Sequence, residues 1–275
     1  MTLLAGLRTH YGAQPHEVAL ETLALCNARC TFCPYPGIER QGARLPDEVI
    51  ARLVDEMATF VLPFYFSPFK VNEPFLDKRL LPLCRAMNEK VPKAVLRLFT
   101  NGSALTDRHI DELARLSNVA HLWVSLNTHR PVEYESLMGL DFERTARRLD
   151  ALHARPFPHP VVVSRVGPDA DFGRYVAWRW PKFRPSIIKR DAWIDFTATD
   201  DPAVPDRPCG RWWELSITAT GKASLCCMDG EARYGFGDVN TQTLREIYNH
   251  PTLRAWREGA ISRMAAGLPC ARCSY

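Results

Sequence analysis

The chain has 275 residues, 46% hydrophobic and 24% charged, with 35 basic and 31 acidic side chains giving a net charge of +4. That length and composition fit a folded globular protein with one large core and room for a small appendage. No run of like charge supports nucleic-acid or membrane-surface binding, and the longest apolar stretch, 60–66, is broken by Pro63 and too short to cross a bilayer.

From residue 18 short apolar runs alternate with amphipathic segments. "VALETLAL" (18–25) reads as a buried strand ending at Cys26. "LPDEVIARLVDEMATF" reads as a helix started by Pro46 and Asp47. "FYFSPFKV" (64–71) is a strand marred by Pro68, and "FLDKRLLPLCRAMNEK" a helix with Pro82 as a blemish. "AVLRLFTNG" is a strand ending in a turn, followed by the helix "LTDRHIDELARL", capped by Thr106 or Asp107. "HLWVSLN" and "PVVVSRV" (160–166) are strands flanking the helix "DFERTARRLDALHA", and "SIIKRDAWI" (186–194) closes the series.

Such alternation implies parallel strands joined by crossover helices. Six strand–helix units fall short of the eight of a full barrel, so a partial barrel or an open doubly wound sheet fits. In either, ligands sit beyond the carboxyl ends of the strands, where Cys26 lies. The Pro- and Asp-rich "TATDDPAVPDRPCG" reads as a linker, dividing the chain into 1–200 and 201–275. Beyond it "WELSITATGKASLCC" signals a hairpin at Thr220-Gly221, and "LREIYNHPTLRAWREGAISRM" a helix broken near Pro251.

The N-terminal "MTLLAGLRTHYG" has too brief an apolar patch for a signal peptide, so a cytoplasmic location is expected. Nine cysteines in a reducing compartment argue for metal rather than disulfides. Cys26, Cys30 and Cys33 crowd one loop; Cys209, Cys226, Cys227, Cys270 and Cys273 gather near the end; Cys84 stands alone as a small hydrophobe. Three thiolates on a [4Fe–4S] cube leave one iron open, which suits catalysis. The rival is a zinc ion held by the pairs Cys30–Cys33 and Cys270–Cys273.

The motif Cys26-x3-Cys30-x-Phe32-Cys33, directly after the first strand, closely resembles the signature of the radical S-adenosylmethionine (SAM) superfamily. The resemblance implies a partial (β/α)6 barrel of the TIM type. It further implies a [4Fe–4S] cluster on Cys26, Cys30 and Cys33 whose open iron chelates SAM, and a 5′-deoxyadenosyl radical that abstracts hydrogen. It places Phe32, Glu73 of "KVNEP", Asn101 of "FTNG", and Ser125 and Asn127 of "VSLN" around SAM, with Arg165 as partner for the SAM carboxylate. Val71 and Asn72 stand where relatives carry glycines, and Met138-Gly139 where they often carry Arg-Gly.

Cys209-x11-Gly221-x4-Cys226, with Cys270 and Cys273 downstream, resembles the SPASM and twitch tails of this superfamily. That implies one auxiliary [4Fe–4S] cluster in a small hairpin-plus-helix subdomain, with Cys226 favoured over Cys227 by the glycine spacing. Its role is electron acceptor or structural staple. The substrate implied is a small polar metabolite, sugar or aminocyclitol-like, with a peptide as the alternative and a flavodoxin- or ferredoxin-type protein as reductant. A non-enzymatic iron–sulfur electron carrier is the outside alternative. Lys189, Arg190, Asp191 and Asp195 lie near late strand ends, with Lys189 or Asp195 as candidate base. Trp178, Trp180, Trp193, Trp212 and Trp213 are expected in the core or at the subdomain interface.

Overall fold

The computed structural model describes residues 3–190, 193–196 and 203–274. The expected boundary at 200/201 and Asp191 lie outside the described residues. In chain order the elements are α1 (Leu3–His10), β1 (Glu17–Leu20), α2 (Asp47–Ala58), β2 (Phe64–Ser67), α3 (Leu80–Lys90), β3 (Ala94–Thr100) and α4 (Asp107–Leu113). Then come β4 (Val119–Ser125), α5 (Pro131–Met138), α6 (Phe142–Ala154), β5 (Val161–Val166), α7 (Phe172–Arg179) and β6 (Arg184–Ile188). The tail holds β7 (Glu214–Ile217), β8 (Lys222–Ser224), β9 (Gly237–Asp238), α8 (Leu244–Tyr248), α9 (Pro251–Gly259) and α10 (Arg263–Ala266).

One sheet runs β6-β5-β4-β3-β2-β1-β7-β8-β9. Strands β1 to β6 pair in parallel, each crossover carrying at least one helix, which gives the partial barrel, not closed. The tail does not dock as a separate layer. β7 pairs with β1 in parallel, Glu17 against Glu214 through Leu20 against Ile217, and β8 and β9 follow antiparallel.

The two faces of the sheet differ because side chains alternate. Val18, Leu20, Phe66, Leu96, Leu98, Leu122, Val124 and Val163 are all but inaccessible and pack on Leu53 and Met57 of α2, Cys84 and Met87 of α3, Leu113 of α4 and Leu149 of α6. On the helix-free face Val95, Phe99, Trp123 and Ser125 stay half-buried, with Phe99 stacked on Phe69. This face is the barrel's interior.

Local chemistry sets the boundaries. β2 stops at Ser67 because Pro68 cannot donate to the ladder. Pro82 falls in the first turn of α3, where a missing N–H costs nothing, so the helix is unbroken. Thr106 caps α4 with a reciprocal bond from its own N–H to His109, and Asp141 caps α6. β1 is shorter than the apolar run suggests: Ala24 leaves the sheet to bond Ala43 O, and Leu25 O is taken by Glu73 N. Helices α1, α5 and α7 were not expected, and Trp178 on α7 is 78% exposed, contrary to the interior place expected for it.

The tail hairpin turns on Gly221 at φ +89°, and a Cβ there would lie 2.3 Å from Asn240 Nδ2, which bonds Thr220 O and Asp238. Gly221→Ala is therefore expected to lower unfolding free energy by about 1–3 kcal/mol. Denaturant titration checks this; an unchanged midpoint would show that the turn relaxes without cost.

Candidate iron–sulfur and SAM site

The loop after β1 carries Cys26, Cys30 and Cys33 past the ends of the parallel strands. Its path is fixed from three sides. Arg29 N and Thr31 N donate to Met138 O and Leu137 O at the end of α5. Gly139 ends α5 in the left-handed region at φ +66°, a conformation that favours glycine, and lies against Arg29. Asn27 donates to Ser103 Oγ at 2.8 Å and accepts from Asn101 Nδ2 at 2.9 Å, tying the loop to the end of β3. Phe32 packs against the main core beside Cys30.

The three thiols stand near one another: the charges of Cys26 and Cys33 both act on Cys30. Burial pushes Cys26 up to about 12 and Cys33 up to about 11, and raises Cys30. A buried thiol of this kind gives up its proton when a cation replaces it, so the donor set fits a metal cluster. Cys30 Sγ also lies 3.4 Å from Met138 Sδ, the residue standing where relatives carry arginine.

Glu73 sits beside this loop and is buried. Its carboxylate accepts from Phe75 N at 3.1 Å, Thr100 Oγ1 at 2.8 Å and Asn101 N at 2.6 Å. Burial still pushes its carboxyl up to about 7. Asn101 thus shapes the site through its backbone and through Asn27.

The other expected SAM residues are placed differently. Ser125 ends β4 on the interior face, half-buried and opposite Ser164. Asn127, in the left-handed region at φ +66°, spends its side chain on Met138 Sδ (3.0 Å) and Val166 N (3.1 Å). Arg165 alternates with Val161 and Val163 toward the helices. Its guanidinium goes to Asn127 O (2.6 Å), Glu133 and Asp169 (both 3.4 Å). Asp195 pairs with Arg233 at 3.5 Å and accepts from Tyr234 at 3.3 Å, while Lys189 is exposed on the chain after β6.

The tail thiols form a second group. Cys209 and Cys270 are buried with Trp212, Leu225 and Leu253, and Cys226 packs against them. Cys209 and Cys273 act on Cys270, Cys209 acts on Cys226, and Arg263 Nη2 reaches Cys209 Sγ at 3.6 Å. Cys227 stands next to Cys226 and also beside Arg211, Glu214, Lys70 and Glu17 of the interior. β8 has already ended at Ser224, so backbone turning past the strand separates the two thiols, not strand alternation. The two Cys-x2-Cys pairs fall in different groups, which removes the geometry of a four-thiolate zinc ion. Among the described residues no three His, Cys, Asp or Glu side chains grip one ion; a cube puts each thiolate on a different iron and needs wider spacing.

Glu21 and Arg40, assigned no role from sequence, join the two groups. Arg40 makes a buried two-point ion pair with Glu21 (2.8 and 3.1 Å) and donates to Gly230 O at 2.5 Å and Glu231 at 3.3 Å. Glu21 also accepts from Val71 N (3.2 Å) and Ala219 N (3.0 Å). A glutamate inside the apolar run 18–25 was the one sequence signal of this.

The radical SAM superfamily profile matches residues 20–170, more than half the chain, and an iron–sulfur cluster-binding domain profile, SPASM, matches 209–274. The chain belongs to the radical SAM superfamily. It also carries the SPASM iron–sulfur domain. No curated protein sequence matches it significantly. Among solved structures it is similar to BtrN in complex with AdoMet and 2-DOIA (15% identity, TM-score 0.66, covering 94% of this chain and 93% of that one). It is similar to Streptococcus suis SuiB bound to S-adenosylmethionine (15%, 0.70, 92% and 70%) and to anSMEcpe with AdoMet and Cp18Cys peptide (13%, 0.65, 92% and 83%). Among the described residues no helix is long and apolar enough to cross a membrane.

Removing the Arg40 charge leaves Glu21 buried and unpaired, so Arg40→Met is expected to cost about 3–5 kcal/mol. The exposed Arg44–Asp47 pair gives the control, Arg44→Met, whose midpoint is expected to stay close to that of the wild type. Equal midpoints for the two variants in denaturant would remove Arg40 as the link between the loops.

Proposed function

We propose that the chain is a radical SAM oxidoreductase that removes hydrogen from a small polar metabolite of the sugar or aminocyclitol kind. Cys26, Cys30 and Cys33 would hold the SAM-binding [4Fe–4S] cluster, and Cys209, Cys226, Cys270 and Cys273 one auxiliary [4Fe–4S] cluster. When bound, these groups and SAM supply a 5′-deoxyadenosyl radical and an acceptor for the electron that the oxidised substrate gives up.

The chain's own part is positioning and exclusion of water. Glu73, held by three hydrogen bonds at the ends of β2 and β3, presents a fixed carboxylate for the SAM amino group. Trp193 and Phe196 pack with Val71 and Tyr35 over Cys26 and Cys33, shielding that site. Met138, Arg165 and Asn127 already have partners, so the SAM carboxylate is left to backbone donors and Ser125. Neither Lys189, exposed, nor Asp195, tied to Arg233, is favoured as base over solvent.

The observation that carries the oxidoreductase reading is the tail group in which Cys209, Cys270 and Cys226 pack together, with Cys273 beside Cys270 and Cys209. Four thiolates saturate one cube and leave it no open iron for substrate, which suits electron transfer. The near end-to-end similarity to BtrN, bound to 2-DOIA, supports the metabolite class. SuiB bound to precursor peptide SuiA keeps the peptide reading as the second one.

Anaerobic reconstitution of the wild type is expected to give about eight irons per chain, falling toward about four in Cys226→Ala and unchanged in Cys227→Ala. With dithionite, SAM and deuterated 2-DOIA or a related aminocyclitol, deuterium should enter 5′-deoxyadenosine. Deuterium drawn from a peptide instead would transfer the assignment to the peptide reading, and a wild-type count near four would discard the auxiliary cluster.

A further inference from the structure

Lys70 belongs to no ligand motif, yet it is the one buried lysine among the described residues, at 3% exposure. It follows β2 in a tight loop whose backbone is pinned: Lys70 N donates to Asn72 Oδ1 at 3.0 Å and Val71 N to Glu21 at 3.2 Å. Its side chain reaches the tail hairpin. Nζ donates to Ser216 Oγ on β7 at 2.9 Å, Ser224 Oγ on β8 at 2.8 Å and Cys226 O at 3.4 Å.

An ammonium has three donors, and here all three go to neutral oxygens. A buried cation without a counter-charge is costly, so something must balance it. The acidic groups facing Lys70 are Cys227, Glu21, Cys226 and Asp229. Glu21 is committed to Arg40, and Asp229 accepts from Leu225 N, Arg233 N and Tyr234 N. What remains is thiolate charge at Cys227 and at Cys226, the latter in the ligand set.

We propose that Lys70 is a fixed cation that raises the reduction potential of the tail's iron–sulfur cluster and so makes it the electron acceptor. The inference rests on the reading of Cys209, Cys226, Cys270 and Cys273 as ligands. The half-reaction is one electron gained by the cluster, with no bond made. The donor in turnover is the substrate radical, which releases a proton as its C–O becomes a carbonyl; in the test it is dithionite. Reduction adds one negative charge in a site screened from water, so a cation held beside Cys226 favours the reduced form. Ser216 and Ser224 position the ammonium while adding no charge of their own.

The test is an anaerobic redox titration of the full chain, reconstituted with iron and sulfide, with the reduced cluster followed by electron paramagnetic resonance. A Cys26→Ala/Cys30→Ala/Cys33→Ala background leaves only the tail cluster to be read. Lys70→Gln, neutral but able to donate to the serines, is expected to lower the reduced-to-oxidised ratio at fixed potential at least tenfold, about 59 mV for a one-electron couple. Lys70→Arg should stay within twofold of the wild type. A Lys70→Gln protein with full iron content and a ratio within twofold would overturn the proposal, as would equal shifts in Gln and Arg variants. Loss of tail iron in Lys70→Gln alone would support a requirement for the charge, whereas loss in both variants would mark a packing role and overturn it. If the unsubstituted Lys70 protein shows no tail cluster at all, it is the ligand reading that fails.

Discussion

Parallel pairing of β7 with β1 decides where everything reactive lies. The ladder from Glu17–Glu214 to Leu20–Ile217 makes the tail hairpin an extension of the barrel sheet. Both strands therefore end on the same side, where the loop bearing Cys26 and the turn at Gly221 emerge together, while antiparallel β8, Ser216 against Ser224, carries the chain back toward the start of β7 before Cys226. Glu21, the first residue past β1, accepts from Ala219 just past β7 and from Val71 past β2, while Arg40 neutralises it and binds Gly230 O. A carboxylate buried at the meeting point of three strand ends is costly unless paired, and Arg40 pairs it while tying its own loop to Gly230.

Around that pair the structure sorts charge by face. The helix side is apolar, with Val18, Leu20 and Leu98 sealed against the helices. The interior keeps charge in matched sets: Glu17 with Arg97 (2.7 Å) and Ser67 (2.8 Å), and Glu214 with Arg211 (2.9 and 3.0 Å). Burial, with Glu17 beside it, pushes Glu214 up to about 7. Aromatic rings of Phe69, Phe99 and Trp123 form the other wall of the same interior.

The sequence made the thiol groups legible, because cysteines clustered by fixed spacing have little structural reason to be there except metal. It made most crossover helices legible through caps and apolar period, as at Thr106. It concealed α5, whose "PVEYESLM" has no apolar stripe, although α5 supports the Cys30 loop through Leu137 and Met138. Arg165 sits at a strand end, as expected of a SAM partner, but on the helix-facing alternation, where it pairs with Glu133, a contact that no local pattern encodes. Partners such as Glu21–Arg40 depend on register between distant segments, which no local pattern encodes.

The central claim is that one sheet presents two separate iron–sulfur sites, of which only the Cys26–Cys30–Cys33 site has an iron open to SAM. Electron paramagnetic resonance of the reduced, reconstituted protein, recorded with and without SAM, tests it most directly. The account predicts two cubane signals, one of which changes its g-values on SAM addition while the other stays fixed. A single signal, or two that both respond to SAM, would contradict it.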